Sequence, residues 1–541
     1  MNKGAREKRR EYTENGSEKM GRRIVTLDST LRDGMQSEKI SFSVSDKIKI
    51  VKYLDELGID FIEAGNPGSN EKDRELFREV KGLKLRHSKL AAFGSTCKVG
   101  VSPEKDANLN QLLEAGTDYA VIFGKASALH VSDVLGTTLE ENLRMIRESI
   151  AYLREKGRMV FFDAEHFFDG FKENEAYAME VLDAAVSAGA GTIVLCDTNG
   201  GCFPNEIADI TQKVVRAAQV NVGIHTHDDG GMAVANTVMG VLSGAVHIQG
   251  TLIGIGERCG NANLSTCIAN LQLKYGCDIL PEGNIRKLTP ISRAVAEISN
   301  ISISGMPYVS KGAFSHKSGM HIDAVLKNNR TFEHIAPEEV GNARNFLLSE
   351  MAGKSAVLSE IQKIRPDIEK NAPQTEQVLK RLKELEFKGY QFEGAGASLE
   401  LVIRRELNCY RPHFELVKLS LISEQETTTG RVTSSALIKV NVDGREEITA
   451  AEGNGPVNAL DTALRKALHV FYPVIEQTHL TDYKVRVLDS KDATGATVRV
   501  LIETTDGEDS WTTIGVSTDV IEASKIALTD AVEYKLQKSG I

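Results

Sequence analysis

The chain has 541 residues, of which 41% are hydrophobic and 26% charged, and its formal net charge is −10. That length exceeds one compact core and points to roughly two to four domains. The acidic balance argues against a nucleic-acid partner, because the one basic cluster, "REKRR", is too short to reverse it. No run of about 18 apolar residues offers a membrane span.

The first residues, "MNKGAREKRREYTENGSEKM", are polar and mixed in charge. They lack the apolar stretch of a secretory signal, and Glu14 and Glu18 argue against a transit peptide. Residues 1–21 are read as a disordered tail. There are seven cysteines, an odd number, with no CxxC. This predicts reduced thiols in a cytoplasmic protein.

From residue 24 short apolar runs alternate with amphipathic ones. The strand candidates are "IVTLDST" (24–30), "DFIEAGN" (60–66), "KLAAFGS" (89–95) and "YAVIFGK" (119–125). "MVFFDAE" (159–165), "TIVLCDT" (192–198), "NVGIHTH" (221–227) and "VHIQGTLIG" (246–254) follow. Such near-continuous apolar runs suit parallel strands buried on both faces. Between them lie helical patterns such as "SDKIKIVKYLDELG", with Ser45 placed as its cap and Gly58 after it. Eight βα units in about 250 residues predict an α/β fold, a (β/α)8 barrel over residues 22–280. Residues 276 to 365 lack strand periodicity and are read as helical. Residues 373–407 read as two helices, completing helical linker subdomains over 281–410.

Residues 411–541 contain an internal repeat. "SALIKVNVDGREEITAAEGNGPVNALDTALRKAL" (435–468) and "TVRVLIETTDGEDSWTTIGVSTDVIEASKIAL" (497–528) each run strand, turn, strand, glycine loop, helix. Asp443-Gly444 and Asp506-Gly507 are hairpin signals. The reading is a C-terminal α+β domain of tandem ββα units.

A barrel demands that chemistry sit at the C-terminal ends of its strands. Arg32 and Asp33 follow the first strand, Glu63 and Asn66 end the second, and Glu165 ends the fifth. Asp197 and Thr198 end the sixth. His225 and His227 end the seventh, two positions apart and so on one face. Closure brings the eighth strand beside the first, so Asp33 can meet both histidines, with Asn261 arriving from the loop "GIGERCGNANLS". Mixed O and N ligands with open positions suit a catalytic Zn²⁺, Mn²⁺ or Mg²⁺. The GxG of that loop is not a dinucleotide fingerprint, which belongs after a first strand.

"LRDGMQSEKISFSVSDK" (31–47), "HTHDDGGMAVAN" (225–236) and "GIGERCGNANLST" (254–266) resemble the signatures of the isopropylmalate, homocitrate and citramalate synthases. The resemblance runs from about residue 22 onward. "EAGNPGSNEKD" (63–73) and "FFDAEHFFDG" (161–170) are most similar to the citramalate branch. The resemblance implies condensation of acetyl-CoA with a 2-oxo acid, here pyruvate, followed by thioester hydrolysis, in isoleucine synthesis. It implies that Arg32 stabilises the alkoxide and binds substrate, that Thr198 holds the substrate carboxylate, and that Glu165 and His321 form the base machinery. His316 is the alternative to His321. Phe332 stands where a tyrosine is common, so this chain lacks that hydroxyl. Phe123 is expected to wall the side-chain pocket and favour a methyl group. The resemblance also implies a homodimer and an effector domain for the end-product amino acid, isoleucine. Backbone groups at Gly453, Gly455, Gly515 and Ser517 would take its carboxylate. The alternatives are an isopropylmalate or homocitrate synthase, an acyl-CoA lyase, and a non-catalytic amino-acid sensor.

Overall fold

The computed structural model describes residues 21–38, 40–316, 318–346, 354–369, 371–425, 432–488, 495–507 and 509–541. The tail expected over residues 1–21 lies, but for Gly21, outside them. The chain divides into two units. One runs through Phe314 and takes in Ile335–Arg344; the other comprises Ser315–His334 and Asn345–Ile541.

The first unit is a closed barrel of eight parallel strands in sequential order. These are β1 (Val25–Asp28), β2 (Phe61–Gly65), β3 (Lys89–Ser95), β4 (Tyr119–Lys125), β5 (Met159–Glu165), β6 (Thr192–Asp197), β7 (Asn221–Thr226) and β8 (His247–Gly250). Closure is made by Val25–Asp28 pairing with His247–Gly250. Phe61, Tyr119, Phe161 and His247 pack their rings together inside the barrel. A filled interior leaves the strand ends as the place for a site.

The helix Val44–Leu57 shows why these segments fold as they do. Ile50, Val51, Leu54 and Leu57 recur at helical spacing and are buried, and Gly58 closes the helix with a φ of 94°. Its N-cap is Ser43, not the expected Ser45. The Ser43 hydroxyl accepts from the Asp46 N–H while the Asp46 carboxylate accepts from the Ser43 N–H. This reciprocal capping box satisfies two donors where Ser45 could satisfy one.

The residues after the barrel in the first unit include the helix Leu288–Ile298, and the second unit opens with two short strands, β9 (Ser315–His316) and β10 (Asn345–Phe346), and short helices. The helices Pro373–Phe387 and Gly396–Glu406 match the two read from the sequence. The C-terminal repeat is a pair of three-stranded antiparallel sheets, each followed by a helix. They are β11 (Glu415–Gln425), β12 (Val432–Val442), β13 (Arg445–Gly453) with Pro456–His469, and β14 (His479–Val487), β15 (Val498–Thr505), β16 (Ser510–Ser517) with Val520–Lys538. Each repeat is therefore βββα rather than ββα. Ile438 and Val440 of one half and Val500 and Ile502 of the other share one core with Leu460, Leu464, Ala527 and Leu528.

Gly453 ends β13 opposite Ser434, and Gly515 lies opposite Val500, two residues before the end of β16. A Cβ on Gly453 would lie 2.4 Å from the backbone N of Ala459, and one on Gly515 would lie 1.9 Å from the backbone O of Ala523. At each glycine the strand passes close against the backbone of the following helix. Gly455 caps the helix Pro456–His469, and the Ser517 hydroxyl accepts from the Asp519 N–H at 3.1 Å.

Candidate active site

The loop after β1 turns sharply: the N–H groups of Arg32 and Gly34 donate to the Ser29 carbonyl at 3.1 and 3.0 Å. This places Asp33 inside the barrel mouth, buried, facing the end of β7. Asp33 Oδ2 lies 3.4 Å from His225 Nε2 and 3.8 Å from His227 Nε2, and the two Nε2 atoms are 3.3 Å apart. Around one ion with bonds of about 2.1 Å, neighbouring ligands stand roughly 3.0–3.4 Å apart. The spacing fits a single divalent ion. Among the described residues this is the group of metal-ligating side chains whose donor atoms all converge within 4.8 Å.

Asn261 forms a bridge with His227, and its side-chain O and N are buried without a partner, as is Asp33 Oδ1. Buried polar atoms are normally satisfied, so unmatched donors and acceptors here mark a place for a ligand. The imidazole orientation is set from below. His225 is the register partner of Gln249 in β8. His225 Nδ1–H donates to Gln249 Oε1 at 2.9 Å, and Gln249 Nε2 donates to Asp163 Oδ1 at 3.1 Å. With its proton held on Nδ1, His225 presents a lone pair at Nε2.

The charges follow from the packing. Burial works against the Asp33 carboxylate, but Arg32 and the two imidazoles outweigh it and hold this group below the usual carboxylate range. Burial and the neighbouring His225 push His227 down to about 4, which keeps it a neutral donor of a lone pair at neutral pH. Burial and the nearby Glu63 push Asp163 up to about 7.

Arg32 bonds Asp33 at 3.1 Å and, through Nε, Glu63 at 2.6 Å. Its guanidinium lies on the Phe93 ring, 3.8 Å from the centroid, and Phe93 stacks on Phe123 at 5.5 Å. Glu165 ends β5 and pairs with Lys125 at the end of β4. The Thr198 hydroxyl accepts from the His166 N–H at 2.8 Å, leaving its own hydrogen to donate. Arg258 ties the strand-eight loop down, bonding the Thr198 carbonyl at 2.7 Å and both oxygens of Asp229.

The barrel thus brings together Arg32, Asp33, His225, His227 and Asn261, with Phe123 joined to Arg32 through Phe93. His321 belongs to the second unit, where its ring stacks on Phe332 at 4.0 Å. The alternative, His316, bonds the buried Glu333 at 3.0 Å and so has a structural partner. Sequence reasoning missed Lys125, Gln249, Asp163 and Phe93. Lys125 was findable as a polar strand end, by the rule that found Glu165.

Residues 23–295 match the HMGL-like family model, 308–389 the homocitrate synthase post-HMGL domain-like model, and 393–536 the LeuA allosteric (dimerisation) domain. An (R)-citramalate synthase of Aquifex aeolicus is 48% identical over 96% of this chain and 99% of its own. The chain belongs to the (R)-citramalate synthase family. Another member, from Geobacter sulfurreducens, is 48% identical over 95% of this chain and 98% of its own. A probable 2-isopropylmalate synthase of Methanopyrus kandleri is more distant, 32% identical over 94% and 98%. Membership in the (R)-citramalate synthase family accords with a barrel in which Asp33, His225 and His227, a group that could hold a metal ion, stand at strand ends with Arg32 and Thr198.

Proposed function

We propose that this chain condenses acetyl-CoA with pyruvate and hydrolyses the thioester, releasing CoA and (R)-citramalate. The observation that carries the reading is the convergence of Asp33, His225 and His227 within 4.8 Å, with Arg32 bonded to Asp33. Asp33, His225 and His227, with Asn261, would hold a Zn²⁺, Mn²⁺ or Mg²⁺. When bound, such an ion acts as a Lewis acid toward the keto oxygen of a 2-oxo acid.

The protein's own groups complete the site. Arg32 faces the oxygen that becomes an alkoxide; its pairing with Glu63 and its seat on Phe93 fix it before substrate arrives. Thr198 donates its free hydroxyl hydrogen to the substrate carboxylate. The stacked Phe93 and Phe123 rings occupy the space that a larger oxo-acid side chain would need. Glu165 takes a proton from the thioester methyl group.

The free cysteines fit a reducing compartment, and among the described residues no helix is long and apolar enough to cross a membrane. We place the enzyme in the cytoplasm as a homodimer. The tandem βββα domain is assigned isoleucine as effector at Gly453, Gly455, Gly515 and Ser517. The test of the reaction is a panel of 2-oxo acids with acetyl-CoA, followed by free-thiol release. Pyruvate is expected to give the highest kcat/KM; a higher value for 2-oxoisovalerate would assign the isopropylmalate reaction instead.

A further inference from the structure

Removing a proton from a thioester methyl group puts negative charge on the carbonyl oxygen. Assigning Glu165 as base leaves that oxygen without a receiver. One preorganised donor at such an oxygen is worth about 10²–10³ in rate.

The barrel places a cation beside the base. Lys125 and Glu165 are the last residues of β4 and β5 and are register partners. Neighbouring parallel strands in register project such side chains to the same face, and the two form an ion pair. Their side chains are 13% and 24% exposed, so a substrate can reach them while little water does. A cation so shielded acts as a stronger donor than one in bulk water.

The ammonium also lies 5.6 Å from the Phe123 centroid. Phe123 stacks on Phe93, and Phe93 carries Arg32. Two cation–carboxylate pairs therefore flank one aromatic pair. Arg32, with Asp33 and Glu63, stands on the side of the metal ligands. Lys125, with Glu165, stands on the other. A condensation between two carbonyl compounds develops charge on two oxygens in turn, and the site has one cation for each. The Lys125 ammonium has three N–H donors and can keep Glu165 while bonding a second oxygen.

We propose that Lys125 is a catalytic residue that donates a hydrogen bond to the thioester carbonyl oxygen and carries the charge of the enolate. In the step, the Glu165 carboxylate takes the methyl proton. The C–H electron pair becomes the C=C bond, and the carbonyl π pair moves to the oxygen facing Lys125. The enolate carbon then forms its bond to the keto carbon of the acceptor, the keto π pair moves to its oxygen as the alkoxide that Arg32 faces and that then takes a proton, and the thioester C=O is restored. The proposal rests on the condensing reaction assigned above.

The experiment compares the full-length wild type, Lys125→Met and Lys125→Arg, each saturated with Mn²⁺. It measures kcat, the KM for both substrates, and the primary isotope effect with trideuterated acetyl-CoA. Lys125→Met is expected to lose about 10²–10³-fold in kcat, with the pyruvate KM within about twofold of wild type. The isotope effect should rise, because deprotonation becomes slower relative to other steps, and Lys125→Arg should recover part of kcat. Should the Met variant not fold, Lys125→Gln is read by the same criteria. The proposal is overturned if the substituted enzyme keeps kcat within about threefold of wild type. It is equally overturned by a loss of kcat with an unchanged isotope effect. A wild type that releases no thiol from acetyl-CoA and pyruvate would instead refute the assigned reaction.

Discussion

Lys47 is bonded to the residue just before Arg32. Its ammonium, fully buried, donates to the Leu31 carbonyl at 3.2 Å and pairs with Asp73. Asp73 in turn accepts the Asn66 N–H at 2.8 Å. The lysine that ends the first signature thus ties the loop after β1 to the loop after β2. Its work is to hold Arg32 and Asp33 in place.

Lys47→Met should therefore strip Asp73 of its partner in a buried setting. Breaking a buried pair by removing one member costs about 3–5 kcal/mol. Denaturant unfolding of the variant should show that loss, and Mn²⁺ affinity measured by calorimetry should fall with it, although Lys47 touches no ligand.

Metal removal gives a second expectation. Dialysis against chelator should abolish thiol release, and a divalent ion should restore it. His225→Ala and His227→Ala should lose bound metal and turnover while keeping the parent circular dichroism, since both stand at the barrel rim rather than in its hydrophobic core. Full activity of both variants in the presence of chelator would refute the metal site.

Most of the barrel was legible because its strands are buried on both faces. The limits of β3, β4 and β5 coincide with those read from the sequence. The eighth strand was read too long: it stops at Gly250, where the Ala262 carbonyl comes within 2.4 Å of a would-be Cβ. The first strands of the two C-terminal sheets were missed because their side chains are largely exposed. "HLTDYKVRV" carries little of the alternation that marked its neighbours. In the site, Arg32, Asp33, His225 and His227 were legible because each pair is close in sequence. Phe93 and Gln249 are placed by stacked rings and register partners on other strands, and no local spacing encodes those.

The aromatic pair predicts substrate choice. Phe123→Ala should open the space beside Phe93 and lower kcat/KM for pyruvate. The ratio of 2-oxoisovalerate to pyruvate should rise by about tenfold, the order expected for a methylene or two of added room. An unchanged ratio in the oxo-acid panel would remove Phe123 from the pocket wall.

Asp28 carries a pH expectation. Burial pushes its carboxyl up to about 7, whereas an unfolded aspartate gives up its proton near 4. The folded state binds more protons across that interval, so this group's contribution to stability falls as pH rises through it and stays low above 7. Asp28→Asn keeps the bond to the Thr30 N–H and removes the charge. Its melting temperature should gain on wild type between pH 5 and pH 8, and a constant difference would refute the assignment.

The effector reading is tested on the full chain, because Ser398 and Arg405 both bond Asp530 in the C-terminal helix. Isoleucine should release heat on titration and lower turnover. No heat with isoleucine, leucine or valine, together with unchanged kinetics, would leave the domain only its dimer-building role.

The chain from His225 through Gln249 to Asp163 bears on how such a centre could be moved to another scaffold. A designer who grafted only an aspartate and two histidines onto a different barrel would copy the donors but not the proton placement. The His225 tautomer is dictated by a glutamine on the next strand, and that glutamine is aimed by a carboxyl three strands away from it. The transplantable unit therefore spans β1, β5, β7 and β8. Spacing along the chain conveys only a fraction of it.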